Sequence, residues 1–393
     1  MIFRIINISS IVLFSFLIIS CNNDNNFSIS ENQNMTTELR SSSENAFFVD
    51  INSSKFQDAI KADEYIPING IRMTGRNILS TVPYMDDDKM FLLLADDDCT
   101  YVSIHNKSGQ LINTVRVECL PDISVHHLDY NAQTGTLSVV DPNTRKLHVY
   151  DLIADTRKVI ELPFLPVAAH FIEQDNEWVF LSVVEESGLD FKHKIIYTNA
   201  DFNIVHEIVI PSENKNMPMA KPDGFSIVDD KLYLNTWGSS SIYHLSNRSM
   251  VKVYELPIDL QGAGGISSFR ISDDFIYLTV GAHLGGFYSI YFDRNTGKYY
   301  VTPLATSTSP MDSEYYKFYN FQAHTSDSDY LYLTFTQESA TPVFNSNLDP
   351  SKYSKLTDAL STGADLVLYK YKINTEFLET ISSHAIPSYL EKD

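Results

Sequence analysis

A nine-residue phrase at 272–280, SDDFIYLTV, joins two carboxylates to an alternating apolar run, and the chain uses it again and again. Relatives of it read MDDDKMFLLL at 85–94, AQTGTLSVV at 132–140, QDNEWVFLSV at 174–183, VDDKLYLNT at 228–236 and SDSDYLYLTF at 326–335. One apolar position marks each copy: Met90, Leu137, Val179, Leu232, Ile276 and Leu331, spaced by 47, 42, 53, 44 and 55 residues. A second phrase, an apolar residue and then Tyr before a polar turn, keeps the same beat at Tyr150, Tyr197, Tyr243 and Tyr291, with intervals of 47, 46 and 48. His105 stands 45 residues before that series and Tyr369 stands 78 after it; taking out the 29 residues of 336–364, which do not fit the pattern, leaves 49. A period of this length means a repeat architecture.

Within each period the signals are those of strands. Short runs of Val, Ile, Tyr, Phe and Thr alternate with polar residues between Asp, Asn, Ser and Gly clusters, while the three-and-four spacing of a core-facing helix is scarce. The fourth period predicts strands at 224–228, 231–236, 241–245 and 251–256, joined by turns at 229–230, 238–240 and 246–248. Four antiparallel strands per repeat, each burying one face, cannot stand alone. Radial stacking of such sheets covers those faces and leaves only short edges. The expected fold is therefore all-β, a six-bladed β-propeller with four-stranded antiparallel blades. Separate β-sandwiches would match the strand density but do not call for an internal period.

The N-terminus carries a different message. MIFRIINISSIVLFSFLIISC holds one cation, Arg4, then an apolar run to Ile19, then Ser20 and Cys21. Its early position and short run are those of a secretory signal and not of a spanning helix of the mature protein. Ile18-Ile19-Ser20-Cys21 resembles the bacterial lipobox, in which a small residue precedes a cysteine that is acylated and becomes N-terminal. The expected organisation is a lipoprotein signal peptide at 1–20, a flexible tether at 21–45 rich in Asn and Ser, and the propeller at 46–389 with an insertion at 336–364 in its sixth blade. Acylation on more than one chain suffices for stable anchoring. Asn22 after the cysteine favours the outer membrane over the inner. The two other cysteines, Cys99 and Cys119, fall on connections at one face of the blade plan, where they form either a disulfide or two separate thiols.

Charge narrows the partners. Fifty acidic residues against 29 basic ones give a net charge of −21, which repels nucleic acid and anionic membrane surfaces. Most of that acidity sits in turn Asp pairs, as hairpins use them. Asp96-Asp97-Asp98 is the densest group, yet it lacks the Gly and Glu positions of a calcium loop, so no metal and no cofactor is expected.

The lipobox, the Asn/Ser tether and six degenerate blades with the Asp-Asp-x-apolar-Tyr-Leu hairpin resemble the TolB-like six-bladed propeller lipoproteins of Bacteroidota. Several such families carry a Gly-rich GxGPGE-like segment early in the first blade, whereas 77–82 here is a different sequence. The resemblance implies an envelope location and carries over no functional residue.

Function must come from the site, since propellers host many activities. The face that joins second to third strands would collect Trp237, His283, Phe344, the long segment 211–223 and the insertion, whose Asp349-Pro350 signals a helix at 351–360. Innermost strands would add His126, His127, His170, Arg270, Gln322 and His324, which either line the channel or pack between blades. Such groups suit an anionic or carbohydrate ligand. The chain has no G-x-S-x-G, H-E-x-x-H or P-loop motif, and the innermost strands offer only Glu173 and Asn320 as oxygen ligands for a metal. The expectation is thus a membrane-anchored, noncatalytic envelope propeller that binds a glycan, a peptide or an envelope protein, the alternative being a metal-assisted, lactonase-like hydrolase.

Overall fold

The computed structural model describes residues 46–50, 59–71, 77–78, 84–85, 88–95, 99–118, 127–141, 144–186, 190–210, 225–228, 231–235, 240–256, 266–281, 287–305, 330–335, 354–361 and 363–384. Two strands, β1 (Ala46–Val49) and β2 (Ile60–Ile68), precede the repeats. Blade 1 holds β3 (Asn77–Ile78), β4 (Tyr84–Met85), β5 (Lys89–Ala95), β6 (Thr100–Asn106) and β7 (Leu111–Glu118). Blade 2 holds β8 (His127–Asn131), β9 (Thr136–Asp141), β10 (Lys146–Asp151) and β11 (Thr156–Glu161). Blade 3 follows with β12 (Leu165–Ile172), β13 (Glu177–Glu186), β14 (Asp190–Asn199) and β15 (Ile204–Val209). Blade 4 comprises β16 (Phe225–Val228), β17 (Lys231–Leu234), β18 (Ser241–Ser246) and β19 (Ser249–Glu255); blade 5 comprises β20 (Ile266–Ile271), β21 (Phe275–Gly281), β22 (Phe287–Asp293) and β23 (Lys298–Ala305). Then come β24 (Leu331–Phe335), helix α1 (Ser354–Ser361), β25 (Leu366–Ile373), helix α2 (Thr375–Thr380) and β26 (Ser382–Ser383).

This is an all-β propeller whose four-stranded blades run antiparallel in sequence order. Five such blades are present among the described residues, not the six expected. The sixth repeat makes a three-stranded sheet ordered β2-β25-β24, so its outer strand comes from the other end of the chain, and residues 306–329 lie outside those described. The sixth copies of both sequence markers do fall on it. Leu331 is on β24 and Tyr369 on β25, just as Met90, Leu137, Val179, Leu232 and Ile276 are on second strands and His105, Tyr150, Tyr197, Tyr243 and Tyr291 on third strands. All six apolar markers are buried.

The central strands read as nearly continuous apolar runs because both of their faces are covered. On β5, Met90, Leu92 and Leu94 pack against Ile66, Ile68, Leu366 and Leu368 of the closing sheet, while Phe91 and Leu93 pack against Leu128 and Leu137 of blade 2. Blade 2 meets blade 3 through Val140 and Leu147 against Phe180 and Ile196. Val179 and Leu181 then meet Leu232 and Leu234 of blade 4, whose Ile242 meets Ile276 and Leu278 of blade 5. Phe275 and Tyr277, on the other face of β21, close the cycle against Leu331 and Val367. Expecting one buried face per strand underestimated this packing. Each such side chain contributes roughly 1.5–3 kcal/mol on burial.

Outer strands tell the opposite story. Every residue of β11 and of β15 is exposed or only partly buried, whereas Tyr299, Tyr300, Val301 and Thr302 of β23 are buried. β1 pairs parallel to β23, Ala46 opposite Tyr299, and β26 adds antiparallel to β1. β1, which precedes blade 1, therefore joins an outer edge, that of blade 5. Helix α1 falls within the predicted insertion and buries Leu356 and Leu360, one turn apart, in the cluster beneath β25.

Candidate ligand site at the channel

The first strand of each blade lies innermost, so its free edge borders the channel. On β8, the alternation of HLDYN places His127, Asp129 and Asn131 on one face, toward β12 of blade 3. Three contacts cross that seam. His170 Nδ1 lies 2.9 Å from Asp129 Oδ2. The Ala169 N–H donates to His127 Nδ1 at 3.5 Å. Asn131 Nδ2 donates to Glu173 Oε1 at 2.5 Å, in the 3-10 turn that ends β12.

One more contact reaches further. The rings of His127 and Phe225 meet edge to face, with centroids 6.1 Å apart. Phe225 opens β16 of blade 4, and blade 3 separates blades 2 and 4 in the ring. Side chains of blades that are not neighbours meet across the channel, which fixes where His127 points. Phe225 is itself buried against blade 3.

Asp129 is the electrostatic centre. Burial pushes its carboxyl up, but the adjacent His170, through charge and hydrogen bond, together with His127 and the Phe171 N–H, outweighs burial and holds it below the usual carboxylate range. An ionised carboxylate only accepts, so His170 carries its proton on Nδ1. A backbone N–H only donates, so His127 accepts at Nδ1 and its neutral ring carries hydrogen on Nε2. The side chain of His170 keeps 22% of its surface exposed against 6% for Asp129. The pair thus presents its imidazole, with the acid beneath.

Of the residues expected from sequence, His127 and His170 come together. Arg270 lies on β20 of blade 5 with 2% exposure, inside the packing and not displayed to a ligand. Glu173 is turned toward Asn131, and among the described residues no group of three or more His, Cys, Asp or Glu side chains could hold a metal ion. Cys99 is buried and disulfide-bonded. Cys21, Asp96-Asp97-Asp98, Cys119, His126, Trp237, His283, Asn320, Gln322, His324 and Phe344 lie outside the described residues. Asp129 and Phe225 were not anticipated. The signal for Asp129 was its place two residues after His127 on a first strand, which puts both on one face.

No family model matches the chain, and no curated protein matches it. Among solved structures, it is similar to a Bacteroides fragilis protein described as exported, at a TM-score of 0.62 and 13% identity over 84% of this chain and 99% of that one. A member of the duf4221 family from Bacteroides vulgatus gives 0.46 and 9% identity over 80% and 98%, and TolB from Acinetobacter baumannii gives 0.42 and 13% over 64% and 58%. The first of these likenesses shows the fold, a propeller, and nothing of the chemistry.

Proposed function

We propose that the mature chain begins at Cys21, is anchored in the outer membrane through lipid on that residue, and holds out on the 21–45 tether a noncatalytic propeller that binds a ligand at its channel. The observation that carries the binding role is the contact of His127 with Phe225 across the channel beside the Asp129–His170 pair. Two imidazoles, one of them backed by an ionised carboxylate, next to an aromatic ring make a polar, orienting surface in a concave place, as binding sites require. In this reading the closing sheet is the sixth blade, and Cys99 pairs with Cys119. Trp237, His283, His324, Phe344 and the 336–353 part of the insertion would frame the same channel. The fold shared with a protein described as exported accords with an envelope location, as does the resemblance of the lipobox and tether to TolB-like lipoproteins.

Two experiments test this. Cys21→Ser should abolish incorporation of labelled fatty acid and release the protein in soluble form; retained label would overturn the anchor. On arrays of neutral glycans, anionic glycans and peptides, the wild type should bind one class, and Trp237→Ala and His170→Ala should each weaken it by about 1–3 kcal/mol, as expected for central anchors. Equal binding by all three proteins would move the site away from the channel.

A further inference from the structure

We infer that β15, the outer strand of blade 3, is the contact surface of a two-fold homodimer, in which two copies of the chain pair their β15 edges antiparallel and join two four-stranded blades into one sheet. The inference is independent of the channel site, because β15 ends the order β12-β13-β14-β15 and the channel lies at the other end of that sheet.

Outer edges are where a propeller can be extended. The chain does this itself on blade 5, where β1 pairs with β23. Of the four outer strands that remain, three carry cations of the kind that keep an edge from pairing with its own copy: Arg116 on β7, Arg157 and Lys158 on β11, and Lys252 on β19. β15, IVHEIV, has no Lys, Arg or Pro. It also shows Ile204, Val205 and Val209 to solvent, each 41–45% exposed, and no other strand exposes three large apolar side chains among the described residues.

Sheet geometry sets the register. Ile210 N–H donates to His193 O at 2.9 Å, so Ile210, Ile208 and His206 turn their backbone groups toward β14, and Glu207 and Val209 turn theirs outward. A bulge beside Val205 ends this regular run. A two-fold axis centred on Glu207 lets that residue exchange both backbone bonds with its counterpart, and it brings Val209 against Val205 of the second copy. The pattern Val-x-Glu-x-Val reads the same in both directions, as an isologous interface requires. A foreign extended segment would need no such symmetry.

Charge agrees with a second copy as the occupant. The one formal charge on β15 is Glu207, and Lys194 Nζ lies 3.3 Å from its Oε2, so this edge is neutral in a chain of net charge −21. Two such chains repel over most of their surface and can approach at the edge that does not. Like charges directly opposite one another oppose pairing, but here each Glu207 is already matched by its own Lys194. Interfaces under roughly 1,200 Å² are those of weak associations, and a strand pair this short belongs with them, so the dimer is reversible at micromolar concentration.

The test is sedimentation velocity of the mature chain carrying Cys21→Ser, which has no lipid, from about 1 to 200 µM, a range that brackets micromolar dissociation. Amide exchange is followed at both ends of that range. With β15 unchanged, a monomer–dimer equilibrium should appear, exchange at 204–210 should slow as the dimer forms, and exchange at 156–161 of β11 should stay as it is. Glu207→Pro deletes an outward N–H, which edge strands tolerate, and removes both central bonds, so the dimer should weaken about tenfold or more. Val205→Lys gives β15 the cation that the other outer strands have and should also weaken the dimer while leaving every backbone N–H in place, which covers the case of a proline variant that does not fold. A monomer at every concentration would overturn the inference, whether or not an added peptide protects the edge. A dimer that neither variant weakens, or one that protects β11 or another strand in place of β15, would overturn it as well.

Discussion

Replacing Gly109 by Ala should strain the seam where the two ends of the ring are joined. Gly109 sits in the β6–β7 turn at φ +81°, and a Cβ there would fall 1.9 Å from Pro67 O, 2.8 Å from Pro67 C and 3.3 Å from Ile68 Cα. All three are backbone atoms of β2, so no rotamer relieves them. The turn also accepts from Asn69 N–H at 3.3 Å through Gly109 O, and β2 is held in place by Asp365, whose N–H donates to Ile68 O at 2.9 Å and whose carboxylate accepts from Ile71 N–H at 2.7 Å. An ordinary contact would require β2 and the turn to part by more than 1 Å (about 3.2 Å against 1.9 Å), opening the packing of Ile66 and Ile68. The left-handed backbone alone costs an alanine roughly 1–2 kcal/mol, offset by about 0.4–1 kcal/mol of lost unfolded-state entropy. Displaced packing of two aliphatic side chains adds about 2–4 kcal/mol. Gly297 is the matched control, with φ +70° and nothing within 4 Å of its Cβ. Denaturant and thermal unfolding should therefore show Gly297→Ala within about 1.6 kcal/mol of wild type and Gly109→Ala about 2–6 kcal/mol below it. Equal melting of the two variants would refute the argument that the seam is closed by backbone contact at this turn.

Leu356→Ala should cost about 2–5 kcal/mol, because this side chain of α1 is 1% exposed in the cluster under β25; a loss under 1 kcal/mol in urea melts would mean the helix is only laid on the surface. Asn374→Ala should cost about 1 kcal/mol by removing the side-chain oxygen that accepts from Phe377 N–H at 3.2 Å at the start of α2, read in the same melts. Burial pushes the imidazoles of His193 and His105 down, so the unfolded chain takes up protons near pH 6.5 that the folded one refuses. Stability is then complete above that pH and falls below it by up to about 1.4 kcal/mol per histidine for each pH unit, down to the folded values. Asp129, held low, acts in a separate window: its contribution is present above the ordinary carboxylate range and lost as pH falls through its folded value. Melts at pH 7.5 and 5.5 should show the first loss, and His193→Gln should shrink it; pH-independent melts would contradict it.

The repeat was legible because strand chemistry is local. Asp-rich turns followed by Tyr and branched residues mark every second strand, and the predicted strands of the fourth blade, 224–228 through 251–256, lie within two residues of β16 to β19 at each end. What closes the ring was not legible. β2 pairs with β25 across about 300 residues, Ile68 opposite Leu366, and β1 lies parallel to β23, and neither pairing leaves a local trace in the sequence. The site was legible by half. His127 and His170 stand out as imidazoles on first strands, but Asp129 is one of 50 acids, and only the stacking of blade 2 on blade 3 sets it under His170. Phe225 reads as one more core aromatic until the ring brings it to His127.

The most direct measurement is a crystal structure of the mature protein grown with the array ligand that binds best. The account predicts ligand density in the channel, beside the seam where His127, Asp129 and His170 meet. Ligand density on the outer strands β11 or β15, with the channel empty, would contradict it.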